Sequence, residues 1–108
     1  MATIIEDYCS KEIYRLLIEK GFDGEVHTTF DDEGYTQPSV SLQMAMKWLR
    51  EVHHIHIRLI NSSDESYRYE IYPREGKYRS SCFSDRRYYE TYEKAAEAAC
   101  IYALKYLI

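Results

Sequence analysis

Apolar residues recur at helical spacing in three stretches of the chain and at alternate positions in several others. In "SKEIYRLLIEKGF" (10–22), Ile13, Leu16 and Leu17 mark one stripe of a helix. Ser10 is placed to cap it, Glu12 lies in its first turn, and Gly21 suits a left-handed ending. "EVHTTF" (25–30) alternates and is rich in β-branched residues, which predicts a strand. "DDEGYTQPS" (31–39), broken by Gly34 and Pro38, predicts a loop. A second helix is expected over about 39–52, opened by Ser39 or Ser41. Leu42, Ala45, Met46 and Leu49 form its apolar face, and Met44 and Trp48 widen it. "HHIHIRLI" (53–60) then alternates, sending Ile55, Ile57 and Leu59 one way and His54, His56 and Arg58 the other. "NSSDES" is a polar turn. "YRYEIY" (67–72) and "KYRSSCF" (77–83) predict two further strands, joined through Pro73-Arg74-Glu75-Gly76. "SDRRYYE" reads as a loop. The last 18 residues predict a helix capped by Thr91, with Glu93 near its start and Ala95, Ala99, Tyr102, Ala103 and Tyr106 as its contact stripe.

The element order is therefore α-β-α-β-β-β-α. Short turns between the strands of 53–83 favour an antiparallel meander with helices packed on one face. The expected fold class is α+β, with a three- or four-stranded, mainly antiparallel sheet. The 25–30 strand would extend that sheet at an edge. A length of 108 residues without repeat, linker or low-complexity tract fits a single domain.

Charge modifies this picture more than bulk composition does. The net charge of −4 argues against a dedicated nucleic-acid binder. It is unevenly distributed: residues 1–36 carry nine acidic and three basic residues, while residues 53–88 carry seven basic and five acidic. Twelve tyrosines, with large rings and polar tips, suit half-buried sheet edges or a binding surface. Cys9, Cys82 and Cys100 are too few and too widely spaced for a disulfide framework. "MATIIEDYCSKE" lacks the apolar core of a secretory leader, and no apolar run approaches the roughly 20 residues of a membrane span. A cytoplasmic setting with reduced cysteines is the expectation.

The candidate chemistry is sparse. His54 and His56 share a strand face, but zinc needs three or four ligands, and His53 falls in the helix-to-strand turn. Asp31-Asp32-Glu33 lacks the alternating ligands and distal Glu of a calcium loop. The cysteines have no His/Asp arrangement around them, and no glycine-rich phosphate loop is present. Neither an enzyme nor a bound cofactor or metal is expected. The outward sheet face is the remaining candidate binding surface: His54, His56, Arg58, Arg68, Tyr72 and Arg79, with Ser81 and Phe83 expected beside them and Arg86 and Arg87 just beyond. Aromatic and basic residues on one sheet face can stack and pair with nucleotides, although Glu70, Glu75 and Asp85 dilute the charge.

Residues 39–107 resemble double-stranded-RNA-binding domains in their α-β-β-β-α order, with one lysine, Lys94, where that family presents several. A second resemblance covers nearly the whole chain. "YTQPSVSLQMAMKWLREVHHIHI" and "YYETYEKAAEAACIYALKYLI" resemble a group of small proteins of gut bacteria, their phages and mobile elements. That group has a Gln-Pro-Thr/Ser-Leu-type helix start, a Lys-Trp-Leu-Arg helix, a His-Ile-x-Ile strand and a Thr-Tyr-Glu-Glu-Ala helix. The resemblance implies a shared fold and a mobile-element context, without an active site. The expected function is a non-catalytic protein-binding or accessory module, a monomer or homodimer. Glu6-Asp7, Asp31-Asp32-Glu33 and exposed tyrosines would make the contact.

The alternative is a weak nucleic-acid binder using the sheet face. On that reading, affinity falls steeply with salt, and Arg58→Glu with Arg68→Glu abolishes it. Filter binding that is unchanged by the double substitution would remove the sheet face as the site.

Overall fold

A computed structural model describes residues 7–30, 32–62 and 66–108; Glu6, Asp31 and residues 63–65 of the polar turn lie outside them. The fold is α+β, with helices packed against small antiparallel sheets. Helix α1 (Lys11–Glu19) is capped by Ser10, whose hydroxyl accepts from the Ile13 N–H at 3.3 Å, and it buries Ile13, Leu16 and Leu17. Helix α2 (Leu42–His53) is capped in the same way by Ser41 and buries Leu42, Ala45, Trp48 and Leu49. Helix α3 (Tyr92–Tyr102) is capped by Thr91. The expected caps and both buried stripes before residue 50 are in place.

The strands β3 (Ile55–Asn61) and β4 (Tyr67–Pro73) pair antiparallel, Ile57 opposite Ile71 and Arg58 opposite Glu70. Ile55, Tyr69 and Ile71 are buried on the inner face, as the alternation requires. The sheet differs from the expected meander at its outer edge. Residues 77–83 form tight turns instead of a strand: Arg79 N–H donates to the Gly76 carbonyl and Ser81 N–H to that of Tyr78. Ser80 adopts a positive φ of 72°, which no extended strand allows. Only two bridges survive on that edge, Phe83 to Ile71 and Tyr89 to Tyr67. Five residues lie between Phe83 and Tyr89, whereas three lie between Tyr67 and Ile71. The two surplus residues push 84–88 out as a bulged loop, with Arg86 at a positive φ of 58°.

A second correction concerns the N-terminal half. Residues 36–39, expected to be loop, form strand β2 (Thr36–Ser39), which pairs with β1 (His27–Phe30) as a separate two-stranded sheet. The 25–30 strand therefore does not extend the main sheet. Pro38 is tolerated because this ribbon has only edge strands.

The third correction lies at the chain's end. After α3 the backbone widens into a π-turn over Ala103–Leu107. The i→i+5 repeat shifts the phase of the buried stripe. Ala103 and Leu104 are buried, while Tyr106, expected on the contact face, is 63% exposed.

Trp48 closes one end of the core, packed edge-on against Phe22 at 5.6 Å and His53 at 4.6 Å between ring centroids. Trp48→Ala should lower unfolding free energy by about 3–5 kcal/mol, read by urea denaturation. A change near zero would show that the ring is not part of the core.

Candidate functional site

The histidine cluster at the α2–β3 join separates into three environments. His53 ends α2, and its half-buried ring packs on Trp48 with Nε2 lacking a hydrogen-bond partner. Burial, followed by the neighbouring His54 and Lys20, holds its pKa below the ordinary value. His54 is the left-handed C-cap of α2, with φ 57°, and not a strand residue; its Nε2 lies 3.6 Å from Glu75 Oε2. His56 stands on β3 opposite Tyr72. Among the described residues no group of three His, Cys, Asp or Glu side chains is placed to hold a metal.

On the outward face of β3–β4, the register places His56 beside Tyr72 and Arg58 beside Glu70, with Arg68 one pair further along. Glu70 organises this face. Its carboxylate accepts from the Tyr72 hydroxyl at 2.6 Å and meets Arg68 Nη1 at 3.5 Å. The Tyr72 hydroxyl is pushed up to about 12 by its hydrogen bond to Glu70 and then by the Cys82 side chain. The Arg74 guanidinium also lies 5.7 Å from the Tyr72 ring centre. The structure thus brings His56, Arg58, Arg68 and Tyr72 together, with His54 off the strand. Arg79 sits in the 76–80 turn and not on a paired strand. Phe83, expected on the outer face, sits opposite the inward Ile71 and packs on Tyr102 at 5.7 Å. Tyr72 is left as the aromatic ring on the paired outer positions.

A groove of about 720 Å³ lies on the other side of β4, between the bulged loop and the end of the last helix. Tyr69, Tyr78, Phe83, Tyr102 and Tyr106 supply its aromatic walls, and Asp85, Arg87 and Lys105 its charges. Asp85 fixes the loop. It accepts from the Tyr89 hydroxyl and, at 2.9 Å, from the Arg87 backbone N–H. Burial and then Asp85 push the Tyr89 hydroxyl up to about 12. Lys105 is anchored 2.9 Å from Glu12 of α1. Arg87 has no ion-pair partner among the described residues. Alternation patterns could not locate this groove, because it depends on a bulge and a π-turn. The one signal in the sequence was the density of tyrosines from 67 to 106.

The β1–β2 ribbon is the third feature. Its base is tied to the body: Ser39 Oγ donates to the Cys9 carbonyl at 3.0 Å, Cys9 N–H to that of Val40 at 2.8 Å, and Tyr8 packs edge-on to His27. Its tip is open, with Phe30 71% and Tyr35 69% exposed.

Cys82 is exposed, whereas Cys9 and Cys100 are buried. Burial and nearby Glu97 push the Cys9 thiol up to about 12, which keeps it protonated. No described helix is long and apolar enough to cross a membrane. Compared with known proteins, the chain matches no family model, no curated protein and no solved structure.

The depressed His53 pKa has a signed consequence. The folded state disfavours the imidazolium, so the unfolded state binds more protons below about pH 6.5. This contribution to stability is present above that pH and is lost as pH falls through the folded value. Stability should decline between pH 7 and 5, and the decline should be shallower in His53→Gln. Identical slopes in denaturant titrations of the two proteins would refute this role for His53.

Proposed function

We propose that the chain is a small, non-catalytic accessory module of phage or mobile-element origin that acts by docking a protein partner on its β1–β2 arm. The observation that carries this reading is the exposure of Phe30 and Tyr35 at the tip of a ribbon outside the main sheet. Large aromatic side chains held in solvent by a projecting element contribute little to the chain's own core. Aromatics are the residues enriched at interface centres and hot spots. Asp32 and Glu33 stand beside them, so the fitting surface on a partner is an apolar recess with a basic border. The origin rests on the resemblance of the 35–57 and 88–108 motifs to proteins of that context.

The outer face of β3–β4 supports the nucleic-acid alternative less well. Glu70 lies among Arg58, Arg68 and Tyr72, and Phe83 turns inward. A stacking platform needs several exposed rings beside uncompensated cations.

A photoreactive phenylalanine analogue at position 35, irradiated in host lysate, tests the arm. A discrete protein adduct that survives nuclease and disappears with Phe30→Asp is the expected result. Adducts that are absent, or that vanish with nuclease, would overturn the arm reading and favour the sheet face.

A further inference from the structure

The aromatic groove and the arm are complementary halves of one contact. We propose that the groove receives the β1–β2 arm of a second copy of this chain, Phe30 and Tyr35 entering between the aromatic walls and the arm's carboxylates facing Arg87. The proposal rests on the arm being a docking element and names its partner.

Charge makes the first argument. Residues 23–38 contain five carboxylates (Asp23, Glu25, Asp31, Asp32 and Glu33) and no Lys or Arg. Residues 74–87, which supply the loop side of the groove, contain five Lys and Arg against two carboxylates, a net of +3. Like-charged alternatives, arm on arm or groove on groove, would be repelled. Within the groove the carboxylate of Asp85 is engaged by Tyr89 and the Arg87 N–H, while the Arg87 guanidinium lacks an ion-pair partner among the described residues. A carboxylate brought in by a second molecule would supply one.

Shape makes the second. The groove, at about 720 Å³, lies within the roughly 300–1,000 Å³ of sites that enclose a ligand. Its rings meet at steep or tilted angles, 87° for Tyr78 with Phe83 and 52° for Tyr102 with Tyr106. Entering rings would therefore find both edges and faces to pack on. No arm residue lines the groove of its own chain, so it is open to another molecule. Four-residue strands extend about 13 Å at 3.3–3.4 Å per residue, a reach that suits insertion.

The contact joins two different surfaces. Joined in one direction only, it leaves one arm and one groove unused, whereas two copies that exchange arms reciprocally close as a dimer with none unused. The difference between the two surfaces gives the test. In sedimentation velocity at low salt, the wild-type chain should associate as concentration rises, to a dimer where arms are exchanged and beyond a dimer where they are not. An arm variant, Phe30→Asp with Tyr35→Asp, and a groove variant, Arg87→Glu with Tyr106→Ser, should each associate about 30-fold more weakly or worse. All four positions are exposed, so both variants should keep the wild-type circular dichroism spectrum. Mixed in equal amounts, they should form a 1:1 dimer and stop there, because each supplies the half that the other lacks.

A wild-type chain that stays monomeric would overturn the proposal and assign the groove to another ligand. A groove variant that associates like wild type would overturn it in favour of an arm-to-arm contact, and a mixture that fails to dimerise would overturn the complementarity. None of these results decides the arm reading, which the cross-link tests separately. A nuclease-resistant adduct to a different protein, with no self-association, would leave the arm as a docking element with another partner.

Discussion

The structure depends on how closely α3 approaches the β3–β4 ribbon. A two-stranded ribbon is at best marginally stable alone, and among the described residues it is the only sheet in the core. Helix α3 packs on both of its strands and also on α1 and α2. The buried face of α3 is small, with Ala95, Ala96, Ala99 and Cys100 all fully enclosed, and Ala103 beside Leu104 continues it into the π-turn. Small residues bring the helix backbone near the sheet, and the bulk comes from across the interface, from Ile55, Tyr69 and Ile71. Interiors at this density leave no room for a larger side chain without backbone movement, so the alanines set the spacing of the whole body.

A tightly spaced body excludes whatever does not fit its register, and the candidate binding features are such excluded parts. The two surplus residues between Phe83 and Tyr89 cannot join the ladder, so the loop bows away and is fastened by Asp85. The π-turn after α3 carries Tyr106 out of the core, while Lys105 ties it to Glu12. The groove lies between these two departures from regular structure. Bulges and π-turns interrupt backbone hydrogen bonding, and they recur at functional sites because they re-aim side chains that a regular element would bury.

The legible part of the fold followed from short-range rules. Ser10, Ser41 and Thr91 read correctly as caps because capping needs only a side-chain oxygen and the next turn's N–H groups. Ile55 and Ile57 read correctly because alternation survives wherever two strands pair in full. Most failures were questions of what pairs with what; the others, at His54 and Tyr106, came from how a helix ends. "KYRSSCF" has strand-like residues, yet Ser80 takes a left-handed conformation and the segment turns. Thr36–Ser39 looks like loop because it contains a proline, yet it pairs with β1 along its whole length. His54 was placed on a strand face, although a left-handed helix ending occupies that position. Of the expected surface, His56, Arg58, Arg68 and Tyr72 came together because they lie on fully paired strands. Arg79 did not, because its strand does not form.

The net charge of −4 conceals the organisation that matters most for contact. The arm segment 23–38 carries −5, so the other 92 residues sum to +1. The chain is thus a nearly neutral body with a basic loop and a strongly acidic finger, not a uniformly acidic surface. Such a charge distribution steers encounter by orientation, and its reach is the Debye length, about 8 Å at physiological salt. That is shorter than the arm itself. In the proposed contact, electrostatic attraction would select which end of the molecule meets a partner, while the aromatic rings at the tip, insensitive to salt, would determine how long the contact lasts.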